Sequence, residues 1–110
     1  MTADKTGAET TISLQDGRYT IAVEGKWVGL ADFVDRGDQR IFHHTEVDPA
    51  YGGRGLATIL VEQALDEARH QGKRIVPVCS MIGTVLRKHP EYEDITDAVT
   101  PEVHRWLRSS

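Results

Sequence analysis

Asp48-Pro49-Ala50-Tyr51-Gly52-Gly53-Arg54-Gly55-Leu56-Ala57 is the stretch whose residue types best suit a chemical task. It leaves an extended run and enters one with helical spacing, and Gly52, Gly53 and Gly55 let backbone come close to a ligand. The first N–H groups of a helix have no partner inside it and lie at the positive end of its dipole. Phosphate oxygens fit such a place, because they accept several N–H bonds at once. The spacing matches neither Gly-x-x-x-x-Gly-Lys-Ser/Thr nor Gly-x-Gly-x-x-Gly, which argues against nucleoside triphosphates and dinucleotides. Upstream, His43 and His44 each offer an imidazole, a group that changes charge near neutrality and can act as a general base. Alternation alone does not choose between them. Glu46, two residues past His44, points to the same side of a strand. Cys79 ends one extended run and precedes a helix, where a thiol can gain nucleophilicity, although a lone cysteine also serves as a small buried hydrophobe.

Two other residue sets carry less. Five histidines and one cysteine contain no His-x-x-x-His or paired-cysteine spacing, so no metal site is expected. Arg36-Gly37-Asp38 is the tripeptide read by adhesion receptors, but it falls where a hairpin turn needs those same residue types.

The elements that must hold these groups follow from pattern. Thr11 to Gln15, Arg18 to Glu24, Lys26 to Val34 and Arg40 to Val47 read as strands of an antiparallel meander, with turns at Asp16-Gly17, Gly25-Lys26 and Gly37-Asp38. In the fourth strand Ile41, His43, Thr45 and Val47 are expected on one face. Ala57, Leu60, Val61, Ala64, Leu65 and Ala68 then take helical spacing, giving an amphipathic helix from about Arg54 to His70. Arg74 to Cys79 reads as a strand at an edge or bulge because of Pro77. Ser80 can cap a helix running to His89, and Thr100 with Pro101 opens a last helix to Arg108. Strands followed by helix, strand and helix make an α+β fold, a mixed sheet in a single layer with helices packed on it.

A chain of 110 residues allows one domain, expected over residues 10–110, after a frayed polar tail over residues 1–9. Lys and Arg total 13 against 17 acids, a net charge of -4, which disfavours nucleic-acid partners. One cysteine excludes an intramolecular disulfide, the N-terminus lacks the apolar core of an export signal, and no stretch approaches the ~18 apolar residues of a membrane span. A cytoplasmic protein without membrane contact is expected, and a monomer is compatible with everything above.

Gly52-Gly53-Arg54-Gly55-Leu56-Ala57 resembles the Gln/Arg-x-x-Gly-x-Gly/Ala loop of the GNAT superfamily of acyl-coenzyme A-dependent N-acyltransferases, with Gly52 in place of Gln or Arg. His44-Thr45-Glu46-Val47, Val76-Pro77-Val78-Cys79 and His89-Pro90-Glu91-Tyr92 stand in the same order as in the small, single-domain GNAT-like proteins, and the resemblance runs from about Tyr19 to Tyr92. It implies acetyl-coenzyme A as donor, no metal, and an amine on a small molecule or a protein as acceptor. It assigns Val47, Asp48, Gly52, Gly53, Arg54, Gly55, Leu56 and Ala57 to the coenzyme, and it points to His44, Glu46 and Cys79 as catalytic candidates, His44 rather than His43. A bulged strand at His44 to Asp48 would offer N–H groups to the acyl carbonyl. Val85 occupies the place where relatives often carry a tyrosine acid. A coenzyme A binding module without efficient transfer is the alternative expectation.

Overall fold

Turn-forming dipeptides fold the first half of the chain onto itself. The computed structural model, which describes residues 2–3, 7–52 and 55–109, lays out strands β1 (Thr2–Ala3), β2 (Glu9–Gln15), β3 (Arg18–Val23), β4 (Lys26–Arg36) and β5 (Gln39–Val47) in antiparallel succession. Asp16-Gly17, Glu24-Gly25 and Gly37-Asp38 join β2 through β5, and Gly17, Glu24, Gly25 and Gly37 take positive φ. Tight hairpins need that conformation, because it matches the twist of the flanking strands. The middle turn lies one residue earlier than its glycine suggested: Glu24 accepts φ 48° and Lys26 already pairs with Val23. Of the tail expected over residues 1–9, positions 1 and 4–6 lie outside the described residues, whereas Thr2–Ala3 pairs with Glu9 and Thr10.

A 3-10 turn (Pro49–Tyr51) leads to α1 (Leu56–His70), β6 (Arg74–Pro77), α2 (Ser80–Lys88), a 3-10 segment (Pro90–Ile95) and α3 (Pro101–Ser109). α1 is the crossover that brings β6 parallel to β5, so the sheet runs β1-β2-β3-β4-β5-β6, mixed and with helices packed on it. Leu56, Leu60, Val61, Ala64, Leu65 and Ala68 form the buried stripe of α1 and meet Tyr19, Ile21, Ala31, Phe33 and Phe42 on one face of the sheet. On the other face Val103 of α3 packs with Ile41 and Val76, joined by Trp106 and Leu107. Thr100 Oγ1 accepts the Val103 N–H at 3.3 Å, the capping bond that starts α3. Cys79, not Ser80, is the N-cap residue of α2, and β6 ends at Pro77.

A bulge overturns the alternation expected in β5. Phe33 pairs with Phe42 and Asp32 with His44, so His43 is an extra residue in β5. One inserted residue swaps the faces of everything beyond it. Phe42, Thr45 and Val47 therefore lie on the α1 side, Thr45 and Val47 opposite Ala31 and Gly29, while Ile41, His44 and Glu46 lie on the outer face.

Candidate active site

β5 and β6 part company where the bulge begins. Their pairing ends at Phe42 and Pro77, after which the chain turns into α2, fastened by the Cys79 N–H to the Phe42 carbonyl at 2.9 Å. From His43 to Val47, β5 keeps β4 on one side and has no strand on the other among the described residues. Asp48 N–H donates to the Val28 carbonyl of β4 at 2.8 Å. Strand alternation then directs the backbone N–H and C=O of Val47 and Thr45 away from β4, into the gap between β5 and β6.

Val47, at the end of that gap, also lines a cleft of about 280 Å³ at the start of α1. Val47, Asp48, Gly52, Gly55, Leu56 and Ala57 line it, six of the residues that the resemblance assigned to a coenzyme; Gly53 and Arg54 lie outside the described residues. Asp48 holds the loop by accepting the Ala50 N–H on Oδ1 at 2.9 Å. Gly55 takes φ 75° as the N-cap of α1, a left-handed conformation that suits glycine, and it supplies no side chain to cover the first turn. The N–H groups of that turn have no carbonyl within the helix to bond to, so they are free to meet an anion.

The catalytic candidates divide between two sides of the sheet. His44 and Glu46 are exposed on the outer face, with Nε2 and Oε2 3.6 Å apart. Beside them Arg18 donates to Asp32 at 2.6 Å, which raises the guanidinium above its ordinary value through that hydrogen bond and the carboxylate's charge. Cys79 is half-buried on the other side of β5, its Sγ–H directed to Thr45 Oγ1 at 3.4 Å. The structure thus brings His44 to Glu46 and Cys79 to Thr45. Thr45 escaped the sequence reading because only the bulge turns it towards Cys79. His43 is exposed at the bulge itself.

The remaining residues read from the sequence have structural settings. His89 follows α2 with Nε2 2.9 Å from Glu62 and Nδ1 3.4 Å from Glu91, a clamp between α1 and the second 3-10 segment. Tyr92 donates to Asp66; burial pushes its hydroxyl far up, and this bond to a carboxylate adds to the rise. Val85 is buried in the core, so α2 presents no hydroxyl there. Among the described residues no group of His, Cys, Asp and Glu is placed to hold a metal ion, and no helix is long and apolar enough to cross a membrane.

Known proteins resemble this chain in sequence and in fold. A family model described as GCN5-related N-acetyl-transferase matches residues 18–95. An uncharacterized N-acetyltransferase of Methanocaldococcus jannaschii is 32% identical over 56% of this chain and 30% of its own, so the chain spans less than a third of that curated relative. A GCN5-like protein of Staphylococcus aureus, solved by NMR in solution, superposes with a TM-score of 0.64 at 21% identity, covering 86% of this chain and 94% of that one. The crystal structure of the ribosomal-protein-S18-alanine N-acetyltransferase from Escherichia coli superposes with a TM-score of 0.51 at 25% identity, over 53% of this chain and 38% of that one.

Proposed function

The chain belongs to the GCN5-related N-acetyltransferase family, and from that premise we propose that it moves an acetyl group from acetyl-coenzyme A to an amine by direct transfer. The observation that carries the reading is that Val47, beside the gap between β5 and β6, also lines the glycine-bearing cleft at the start of α1. A thioester supplies an activated acyl group, and the chain's residues have to hold it, polarise its carbonyl and accept a proton from the incoming amine.

Gly52, Gly55, Leu56 and Ala57 hold the pyrophosphate with backbone N–H groups at the positive end of α1, and Gly53 and Arg54 are assigned to the same ligand. Val47 and Thr45 N–H groups, turned into the gap, bond the extended arm and the acyl carbonyl. His44, with Glu46 beside it, accepts the proton that an ammonium must lose before its nitrogen can attack. The nitrogen–carbon bond forms and the carbon–sulfur bond breaks, the nitrogen loses its second proton to water, and the departing thiolate takes a proton from water because Val85 offers none. Cys79 lines the gap without forming an acyl-enzyme, since an acyl-cysteine is no lower in energy than the thioester that would form it.

Calorimetric titration with acetyl-coenzyme A, followed by mass-spectrometric detection of acetylated product across a panel of amines, tests this. Binding with turnover supports it. Binding without turnover on any amine favours a coenzyme A binding module instead, a reading that buried Val85 keeps in play. Absence of binding overturns both.

A further inference from the structure

On the outer face of the sheet, α3 packs on the end that carries Ile41 and Arg36. The opposite end is open and holds a groove of about 240 Å³ whose walls include Trp27, Leu30, Glu46 and Pro49. Strand register puts the first three on this face: Trp27 stands opposite Ala22, and Leu30 opposite both Thr20 and Glu46.

Its position, charge and shape each say something about the occupant. The groove shares Val47, Asp48 and Pro49 with the coenzyme cleft, so the two back onto one stretch of chain. His44 stands on the groove's own face, 3.6 Å from Glu46. Among the described residues Glu46 and Asp48 line it and no lysine or arginine does, while Arg18 on the same face is committed to Asp32. Trp27 is 54% exposed, which leaves an indole beside these carboxylates, and an indole face attracts an alkylammonium. Sites for free small molecules usually run to about 300–1,000 Å³ and enclose most of the ligand. This groove is smaller and lies open on the sheet, which suits a single side chain presented by a segment resting across the strands.

We propose that the groove receives a lysine side chain of a peptide or protein as the acetyl acceptor, with Trp27 as the residue that selects it. The proposal rests on the transfer reading above. The lysine stem lies on the indole and Nζ, passing Glu46, gives one proton to His44 before it attacks; as the nitrogen–carbon bond forms and the carbon–sulfur bond breaks, a second N–H proton passes to water and the departing thiolate takes one from water.

N-terminally blocked peptides with one lysine and randomised neighbours, set against n-butylamine at equal concentration, test it by mass spectrometry of the acetylated products. Peptides should be acetylated in preference to butylamine. Trp27→Ala should raise KM for the peptides at least tenfold, about 1.4 kcal/mol, far more than it lowers kcat, while acetyl-coenzyme A affinity stays at its wild-type value; Trp27→Phe should keep most of the peptide affinity. Equal use of butylamine, an unchanged KM in Trp27→Ala, or acetyl-coenzyme A binding with no peptide product overturns the proposal. Failure to bind acetyl-coenzyme A overturns the transfer reading on which it stands, a result separable from the others because it appears with no acceptor present.

Discussion

His44 and Glu46 owe their shared face to Asp32 and Leu30, which stand opposite them in β4, and both side chains are open to solvent. Openness matters for a base, because the proton taken from an amine must leave again before the next turnover. If His44 is that base, the pH profile of kcat/KM has an ascending limb, and His44→Ala loses this limb while retaining coenzyme affinity. The measurement is a pH profile of both proteins beside a binding isotherm; matching profiles would assign the proton to another group. Cys79 differs in kind. Its thiol hydrogen points to Thr45 Oγ1 at 3.4 Å, on the side of β5 away from His44, so the proposed base does not face the sulfur. That separation favours direct attack by the amine over a cysteine route.

Between β5 and α1, local chemistry and long-range pairing contribute differently to the site. Gly55 starts α1 at φ 75° and borders the coenzyme cleft, so its lack of a side chain serves both the turn and the ligand. Gly55→Val should weaken acetyl-coenzyme A binding at least tenfold, about 1.4 kcal/mol, in titrations on protein whose circular dichroism shows it folded; unchanged affinity would move the pyrophosphate elsewhere. This element was legible in the sequence because glycines at a helix start act over a few residues. The hairpins were legible for the same reason, as was the α1 stripe from Leu56 to Ala68. The bulge was not. Nothing local marks His43 as the extra residue; it is set by Phe33 and Phe42 packing together in the core while Asp32 pairs Arg18 on the other face. With the bulge went the correct face of Thr45 and its meeting with Cys79. The turn at Glu24-Gly25 shifted by one residue because a non-glycine accepted positive φ there. The groove beside Trp27 was hidden as well, since it depends on where α3 packs on the outer face.

Across the whole molecule, one buried cation ties the sheet to the end of the helix that closes over it. Arg40 of β5 is 4% exposed; its guanidinium donates to both Asp35 oxygens, at 2.9 and 3.1 Å, to Tyr19 Oη and to Gln71 Oε1, and it lies 4.3 Å from the Phe33 ring centre. Burial alone would pull the guanidinium down, yet Asp35 and Tyr19 together hold it above its ordinary value. Conversely, the hydrogen bond from Arg40 holds the Asp35 carboxyl below the usual 3.8, with Lys73 assisting. A carboxyl whose pKa is lower folded than unfolded contributes stability above its unfolded value, and the contribution is lost as pH falls through the folded one. Asp97 behaves alike, held down first by Arg74 and then by Gln39. Asp35→Asn leaves Arg40 buried without its carboxylate, and at neutral pH we expect a loss of about 1–3 kcal/mol, the cost of a buried group robbed of its partner. The gap between variant and wild type should then narrow as pH drops below 3.8, because the unfolded chain takes up the Asp35 proton there first and the folded carboxyl follows at its lower value. Urea denaturation across that range checks it: a gap that persists unchanged in acid would mean that the amide disturbs packing around Phe33 and Tyr19, and that the charge pair is not what holds these strands to α1.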